Sequence, residues 1–359
     1  MSAATASNTD TTGPRDGAGG PAGGHRPGSG ARTSQQRWQA LQRVNKSTLL
    51  MLVVTLVVIV AFSVATPTFL TGTNLRNVAV QVAPALIVAV AMTFVITAGM
   101  IDLSVGSTLA LVSVVGASLL RTGMESVLVI VICLAVGALC GLVNGWFSSY
   151  QGIPSFIVTL ATMSVVRGIA LLLTKGYSIA IGSGLIFAQI GQGRFLGLGY
   201  PAWLALLVVG LGIVALQRMR FGQYITGIGS NEESVRRAGV DTRLVKMGAL
   251  VLSGTAAGAA GIVTAARLGS GDANSGVDFA MTVITAVVIG GTNLLGGKGS
   301  VIGTAIGAVL TGVITNGLTL LGLSPYLVPI VTGTLLILVI WVNLRGGSFT
   351  DLVRKVVTR

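Results

Sequence analysis

Ten apolar segments, at about 48–66, 77–98, 104–120, 126–147, 154–173, 202–217, 246–266, 278–292, 300–322 and 327–344, follow one another along this chain with little between them. Nothing else in the sequence constrains the fold as strongly. A helix needs roughly 20 apolar residues to cross the hydrocarbon core of a bilayer. Within lipid, only helices and closed barrels satisfy their own backbone N–H and C=O groups. The segments are too long and continuous for barrel strands, so they predict an all-α, polytopic transmembrane helical bundle of about ten helices. Those at 104–120 and 278–292 are short and suit broken or re-entrant helices. Charge content agrees: 9% of the 359 residues are charged, against about 25% in an ordinary soluble domain. Lipid is therefore expected to be the main solvent.

The rest of the chain is arranged around this bundle. Residues 1–45 are rich in Gly, Ala, Thr, Ser and Arg, lack apolar periodicity and predict a disordered N-terminal tail. No apolar stretch near the start suits a signal peptide. A transmembrane domain is expected over 46–345, and a short C-terminal tail over 346–359. Lysine and arginine orient it. With both termini in the cytoplasm, the outer side and the spans share only Arg76, Arg121, Arg167, Lys175, Arg194 and Arg267 of the 23 basic residues, as the positive-inside rule asks. The net charge of +13 thus reflects bases in the tail and short loops and gives no reason to expect nucleic-acid binding.

Small residues recur at the spacing that lets helices approach closely in lipid: Gly137, Gly141 and Gly145; Gly254 and Gly258, with Ala257 and Gly261 interleaved; Gly303 and Gly307. A faint internal echo links VITAGMIDLSVGS (95–107) with VIGGTNLLGGKGS (288–300), as in transporters built from repeats.

Few residues offer chemistry. Cys133 and Cys140 lie on one face of one apolar segment and read as packing. The one histidine, His25, lies in the tail, so no histidine-based metal or catalytic site is expected. Asp102 has two open readings, a polar contact on a permeation path or the N-cap of a helix beginning near Leu103. Asn144, Thr159, Asn293 and Asn316 are polar residues suited to a sugar's hydroxyls, or to hydrogen bonds between helices. Arg167 and Arg267 can snorkel, pair with an acid or line a cavity. GGKGS (296–300) fails the phosphate-loop pattern because Gly299 follows Lys298 and Thr292 holds the first glycine's place. ATP hydrolysis, if it drives this protein, must occur on another chain.

One stretch stands apart. From Glu232 to Lys246, seven of fifteen positions are charged, inside a loop expected over 218–246. Ser230 and Glu233 fit a capping box, so a short helix is expected to begin near Asn231. Glu232 and Glu233 suit its N-terminus and Arg236 and Arg237 its C-terminus. Gly239 suits its stop, and Val235 and Ala238 form a small apolar strip. The helix is too small to fold alone and too charged for lipid. It is either a solvated connector or a docking element.

At this point the chain resembles the permease subunits of ribose-type ABC importers, over about residues 48–344. ITAGMIDLSVGS is similar to the family's glycine–Ile-Asp-Leu-Ser-Val-Gly stretch, and FGQYITGIGSNEESVRRAGV resembles its cytoplasmic loop, with Asn231, Glu232 and Glu233 as its Asn-Glu-Glu core. AGAAGIVTAARLGSG and AVVIGGTNLLGGKGSVIGTAIGAVLTGVITNGLTLLG resemble its C-terminal half. Where the family often carries Glu-Leu before AVVIGG, Ala280 and Met281 stand. The resemblance implies a non-catalytic subunit in a bacterial plasma membrane, paired with a second permease copy or a related permease. It implies an ABC ATPase subunit that binds ATP and magnesium and holds Asn231–Gly239 as a coupling helix. It also implies an extracytoplasmic binding protein that delivers a ribose- or xylose-like monosaccharide. Importers of branched-chain amino acids or nucleosides are the nearest alternative, and an ion-coupled secondary transporter a more distant one.

Overall fold

The computed structural model describes residues 46–182, 184–324 and 326–331, with 333, 334 and 337. The expected tails, 1–45 and 346–359, and most of the last apolar segment lie outside the described residues. Eleven α-helices lie among them: α1 (Lys46–Ala65), α2 (Gly72–Thr97), α3 (Val105–Arg121), α4 (Ser126–Ser149), α5 (Ser155–Thr174), α6 (Ile186–Gln192), α7 (Tyr200–Arg218), α8 (Arg220–Arg237), α9 (Thr242–Leu268), α10 (Phe279–Ile289) and α11 (Val301–Leu320). Residues 327–331, where the last apolar segment begins, are also helical. The chain is an all-α polytopic bundle. Nine of these helices fall on the first nine apolar segments. Helices α6 and most of α8 are additions, because a seven-residue helix and a polar one leave no long apolar run. Two-residue strands tie loops together: β1 (Ile179–Ala180) pairs antiparallel with β4 (Ser270–Gly271), and β2 (Arg194–Phe195) with β3 (Leu198–Gly199).

Among the described residues six helices, α2, α4, α5, α7, α9 and α11, are long and apolar enough to cross a membrane. Helices α2 and α9 form the centre, each 78% buried over its most apolar stretch, whereas α4, α5 and α7 are only 22–28% buried. Their outer faces carry exposed leucine, valine and isoleucine, as a lipid-facing surface requires.

The glycine steps set the closest helix crossing. Gly137, Gly141 and Gly145 of α4 meet Gly254, Leu250 and Met247 of the antiparallel α9. A Cβ at Gly254 would sit 2.8 Å from the Gly141 Cα, and one at Gly141 would sit 2.8 Å from the Val251 Cα. Gly261, one turn on, faces α3 instead, against Leu109 and Val112, and Gly303 and Gly307 bring α11 onto α10. Overpacking a full core costs about 1–3 kcal/mol, occasionally more, and here the obstruction is backbone. Gly141→Leu is therefore expected to lower the yield of detergent-stable protein several-fold, whereas Gly168→Leu, at an open site, leaves it unchanged in size-exclusion chromatography.

Of the two short segments, 104–120 forms one continuous 17-residue helix, α3, contrary to the expectation of a break, whereas 278–292 holds only the half-length α10, as a broken or re-entrant segment would. Eleven residues rise about 16 Å, roughly half a bilayer core, so α10 spans half the thickness. The half before it is filled by non-helical chain. Gly271 packs on Ser113 and Ala117 of α3, and Gly276 reaches Gly106, near the start of α3. The chain thus folds back along α3 before α10 begins. Non-helical backbone at this depth needs partners. Ser113 meets the Asp272 backbone at 3.3–3.4 Å, and the Arg167 guanidinium donates to the carbonyls of Ala273 and Ser275, the latter at 3.0 Å. That is the task of the arginine inside α5.

Candidate functional site

The charged stretch folds much as its sequence suggests, with one correction. Helix α8 is two helices merged at a kink: Asn231 is extended, at φ −163°, ψ 95°. Asn231, not Ser230, is the N-cap, and its Oδ1 accepts from the Ser234 N–H at 3.0 Å. The Ser230 hydroxyl donates back to the Thr226 carbonyl at 2.9 Å, because Ser230 still belongs to the preceding helix and back-bonds within it. Glu233 closes no capping box. It pairs with Arg236 and, at 2.9 Å, with Arg237. The stop is a Schellman turn: Gly239 has φ +86°, its N–H donates to the Arg236 carbonyl at 3.0 Å, and the Val240 N–H donates to the Val235 carbonyl.

The short helix is fixed from both sides. Its predecessor, 220–230, buries Ile225 and Ile228, and Gly229 is wedged between the Thr97 carbonyl and the Gly297 N–H. Its successor is tied by Glu232, which binds Lys246 at 3.1 Å and accepts from the Thr242 hydroxyl at 3.0 Å. Asp241 then caps α9 through the Arg243 and Leu244 N–H groups. Val235 is half-buried against Gly227 and therefore belongs to this support, while Ala238 stays exposed. What the helix offers outward is Glu233, Arg236 and Arg237, with side chains 45%, 67% and 80% exposed.

Beneath it meet the two stretches that echo each other in sequence. The Gly297 N–H donates to the Thr97 carbonyl at 2.9 Å, and Gly99 lies against Leu295. With Gly296 and Gly297 both at positive φ and Gly297 committed to Thr97, GGKGS is a packed turn with no free cradle for a phosphate.

The five residues singled out for a polar path do not converge. Asp102 and Asn144 do meet, in a fully buried cluster. The Asp102 Oδ1 accepts from the Ser104 N–H (2.9 Å) and hydroxyl (2.6 Å), its Oδ2 accepts from the Ser253 hydroxyl (2.8 Å), and Asn144 Nδ2 donates to Ser104 Oγ (2.9 Å). Helix α3 begins at Val105 with Ser104 as its N-cap, so Asp102 does not cap a helix at Leu103. It forms a turn two residues ahead of the cap and joins it to α9. Thr159 donates to the Ile101 and Ser155 carbonyls. Asn293 holds the exposed turn before Gly296, accepting from the Leu295 N–H. Asn316 exchanges two hydrogen bonds with Asn74, at 2.9 and 3.0 Å.

Open polar space lies elsewhere. A cavity of about 390 Å³ sits between α2, α3, α9, α11 and the start of α10, lined by Gln81, Thr264, Arg267, Ser275, Thr282, Thr311 and Thr315 among apolar side chains that include Phe279. A second, of about 370 Å³, is lined by Arg76, Asn77, Gln81, Gln192, Arg194 and Arg267. Gln81 and Arg267 line both. Sequence reading had noted Arg267 without assigning it and passed over Gln81. A glutamine three residues before a proline, Pro84, inside an apolar helix was the available signal.

Spanning helices, a half-length helix preceded by non-helical chain, and polar chambers between them define a multi-pass helical membrane protein. The chain belongs to the family described as branched-chain amino acid transport system / permease component, whose pattern matches residues 74–340. It is 37% identical over 295 residues to the ribose import permease protein of Escherichia coli (strain K12), covering 81% of this chain and 92% of that one. It is 32% identical over 314 residues to the L-arabinose ABC transporter permease protein of Azospirillum brasilense, covering 88% and 92%. It is 32% identical over 286 residues to the D-allose transport system permease protein of Escherichia coli (strain K12), covering 79% and 87%. No solved structure matches the chain. With its spanning helices, this kinship makes it a permease component and a multi-pass protein of the inner membrane.

Proposed function

We propose that this chain is the membrane-spanning permease subunit of an ATP-driven importer for a ribose- or xylose-like monosaccharide. A partner ATPase binds ATP and magnesium and does the hydrolysis. An extracytoplasmic binding protein delivers the sugar, and a second permease copy or a related permease completes the membrane part. The observation that carries the coupling role is the helix 232–237. It is capped at both ends, braced by Glu232 and Gly229, and presents three charged side chains with little apolar surface of its own. A solvated connector has no need of such bracing. A lever that passes motion from a partner does, because force applied to a frayed loop is lost in the loop. With both termini cytoplasmic, this helix faces the ATPase, and its motion reaches α2 and the 290–300 turn through Gly229. Residues Asn231, Glu232, Glu233, Arg236, Arg237 and Gly239 form the coupling element.

The substrate class rests on the ribose, arabinose and allose permeases to which the chain is similar. The family's description speaks of branched-chain amino acids, so the test sets the two against each other. The permease is reconstituted in vesicles with its ATPase and binding protein, and uptake of labelled D-ribose, D-xylose and L-leucine is measured with and without ATP. ATP-dependent uptake of a pentose at least tenfold above leucine is expected. Uptake of leucine without uptake of sugar would overturn the reading.

A further inference from the structure

The two polar cavities meet at Gln81 and Arg267, and we propose that this junction, within a single subunit, is where a neutral monosaccharide is held in transit. The inference rests on the monosaccharide reading above and adds the place. Among the described residues neither side chain makes a hydrogen bond or ion pair, and the Arg267 Nε is buried without a partner. Buried polar groups in folded proteins are nearly always satisfied, so a buried guanidinium nitrogen left open, with the partly exposed Gln81 amide beside it, points to something polar that binds there. Pro84, inside α2, has no N–H to give to the Val80 carbonyl one turn back, and Val80 lines the outer cavity beside Gln81.

The lining selects the class of ligand. The inner cavity offers threonine hydroxyls from three helices, Thr264, Thr282 and Thr311, with Phe279 also in its lining. Hydroxyls, an amide and a guanidinium suit a polyol, and an aromatic face suits the C–H side of a sugar ring. Among the described residues no carboxylate lines either cavity, while Arg76 and Arg194 join Arg267 in the outer one. The α-ammonium of an amino acid would meet cations there and no acid. The volume of about 390 Å³ lies in the range of small-molecule sites, about 300–1,000 Å³.

The test uses the complete reconstituted importer, with D-ribose and D-xylose as probes. Arg267→Gln is expected to slow uptake at least tenfold, and Gln81→Leu to change the ribose-to-xylose ratio, with ATPase and binding-protein association unchanged. Thr264→Cys gives a second readout that needs no transport. A membrane-impermeant thiol reagent is expected to label it, and millimolar ribose to slow that labelling at least threefold. If the wild type takes up pentoses but both variants transport at its rate and preference, the site is overturned and the function stands. If ribose leaves labelling of Thr264→Cys unchanged, the site is likewise overturned. If the wild type takes up no monosaccharide, the functional reading falls and the assigned ligand with it.

Discussion

Reversing Glu233 and Arg237 together, Glu233→Arg with Arg237→Glu, is expected to strip the ATPase from the permease while leaving the bundle folded. The 233–237 pair is kept in reversed order, Arg236 loses its exposed partner at 233, and exposed pairs of this kind are worth only about 0.3–0.5 kcal/mol each, so the helix itself is little affected. The Asn231 cap and the Schellman turn at Gly239 do not involve either side chain. At a docked surface the same change places each charge against its like. Removing one partner from a desolvated, hydrogen-bonded pair costs about 2–5 kcal/mol, which is roughly thirtyfold or more in affinity. Co-purification of the ATPase should fall by that factor, and sugar-stimulated ATP hydrolysis in vesicles should be lost, with the permease still eluting as a single species. Wild-type levels of both would reduce 232–237 to a connector.

The second large effect is expected at Asp102. Its carboxylate accepts from Ser104 N–H, Ser104 Oγ and Ser253 Oγ in a fully buried setting. Asp102→Ala strands these donors, and each buried donor left unsatisfied costs about 1–3 kcal/mol. The hydroxyls can turn to other acceptors and the Ser104 N–H cannot, so a loss of at least about 2 kcal/mol is expected. It also unties the start of α3 from α9. Asp102→Asn keeps one oxygen for Ser104, and its amide can donate to Ser253 Oγ, which then serves as acceptor. Thermal unfolding in detergent should therefore rank wild type and Asn together and Ala well below, with sugar uptake following the same order. An Asn variant as impaired in uptake as Ala, at equal abundance, would assign the effect to charge and remove the structural account.

Much of the short charged helix 232–237 could be read from residue order because its determinants are local. A cap, a stop glycine and i,i+3 or i,i+4 partners lie within one turn of each other, so the sequence contains the whole interaction. The error of one residue at the cap shows the limit. Ser230 and Asn231 are both good caps, and the choice fell to Asn231 because Ile228 and Gly229 are packed into the bundle and hold Ser230 inside the preceding helix. The polar path was read less well. Asn144, Thr159 and Asn316 are polar and intramembrane, yet each has hydrogen-bond partners supplied by distant segments. Sequence shows that such a group needs a partner and is silent on which one it finds.

By itself the sequence determined that this protein is a bundle of helices in lipid, that the 278–292 segment falls short of a full span, and which loop could bear charge outside it. These follow from runs and spacings along one strand of chain, since a backbone in hydrocarbon must satisfy itself within each segment. Only the tertiary structure decided which polar groups are spent and which are left open. Arg167 is consumed by the carbonyls of the segment that folds back along α3, whereas Arg267, open in sequence to the same readings, faces open space beside Gln81. The physical reason is that hydrogen bonds between helices depend on rotation and depth, which are set by packing at glycine crossings such as Gly141 on Gly254 and not by any single segment.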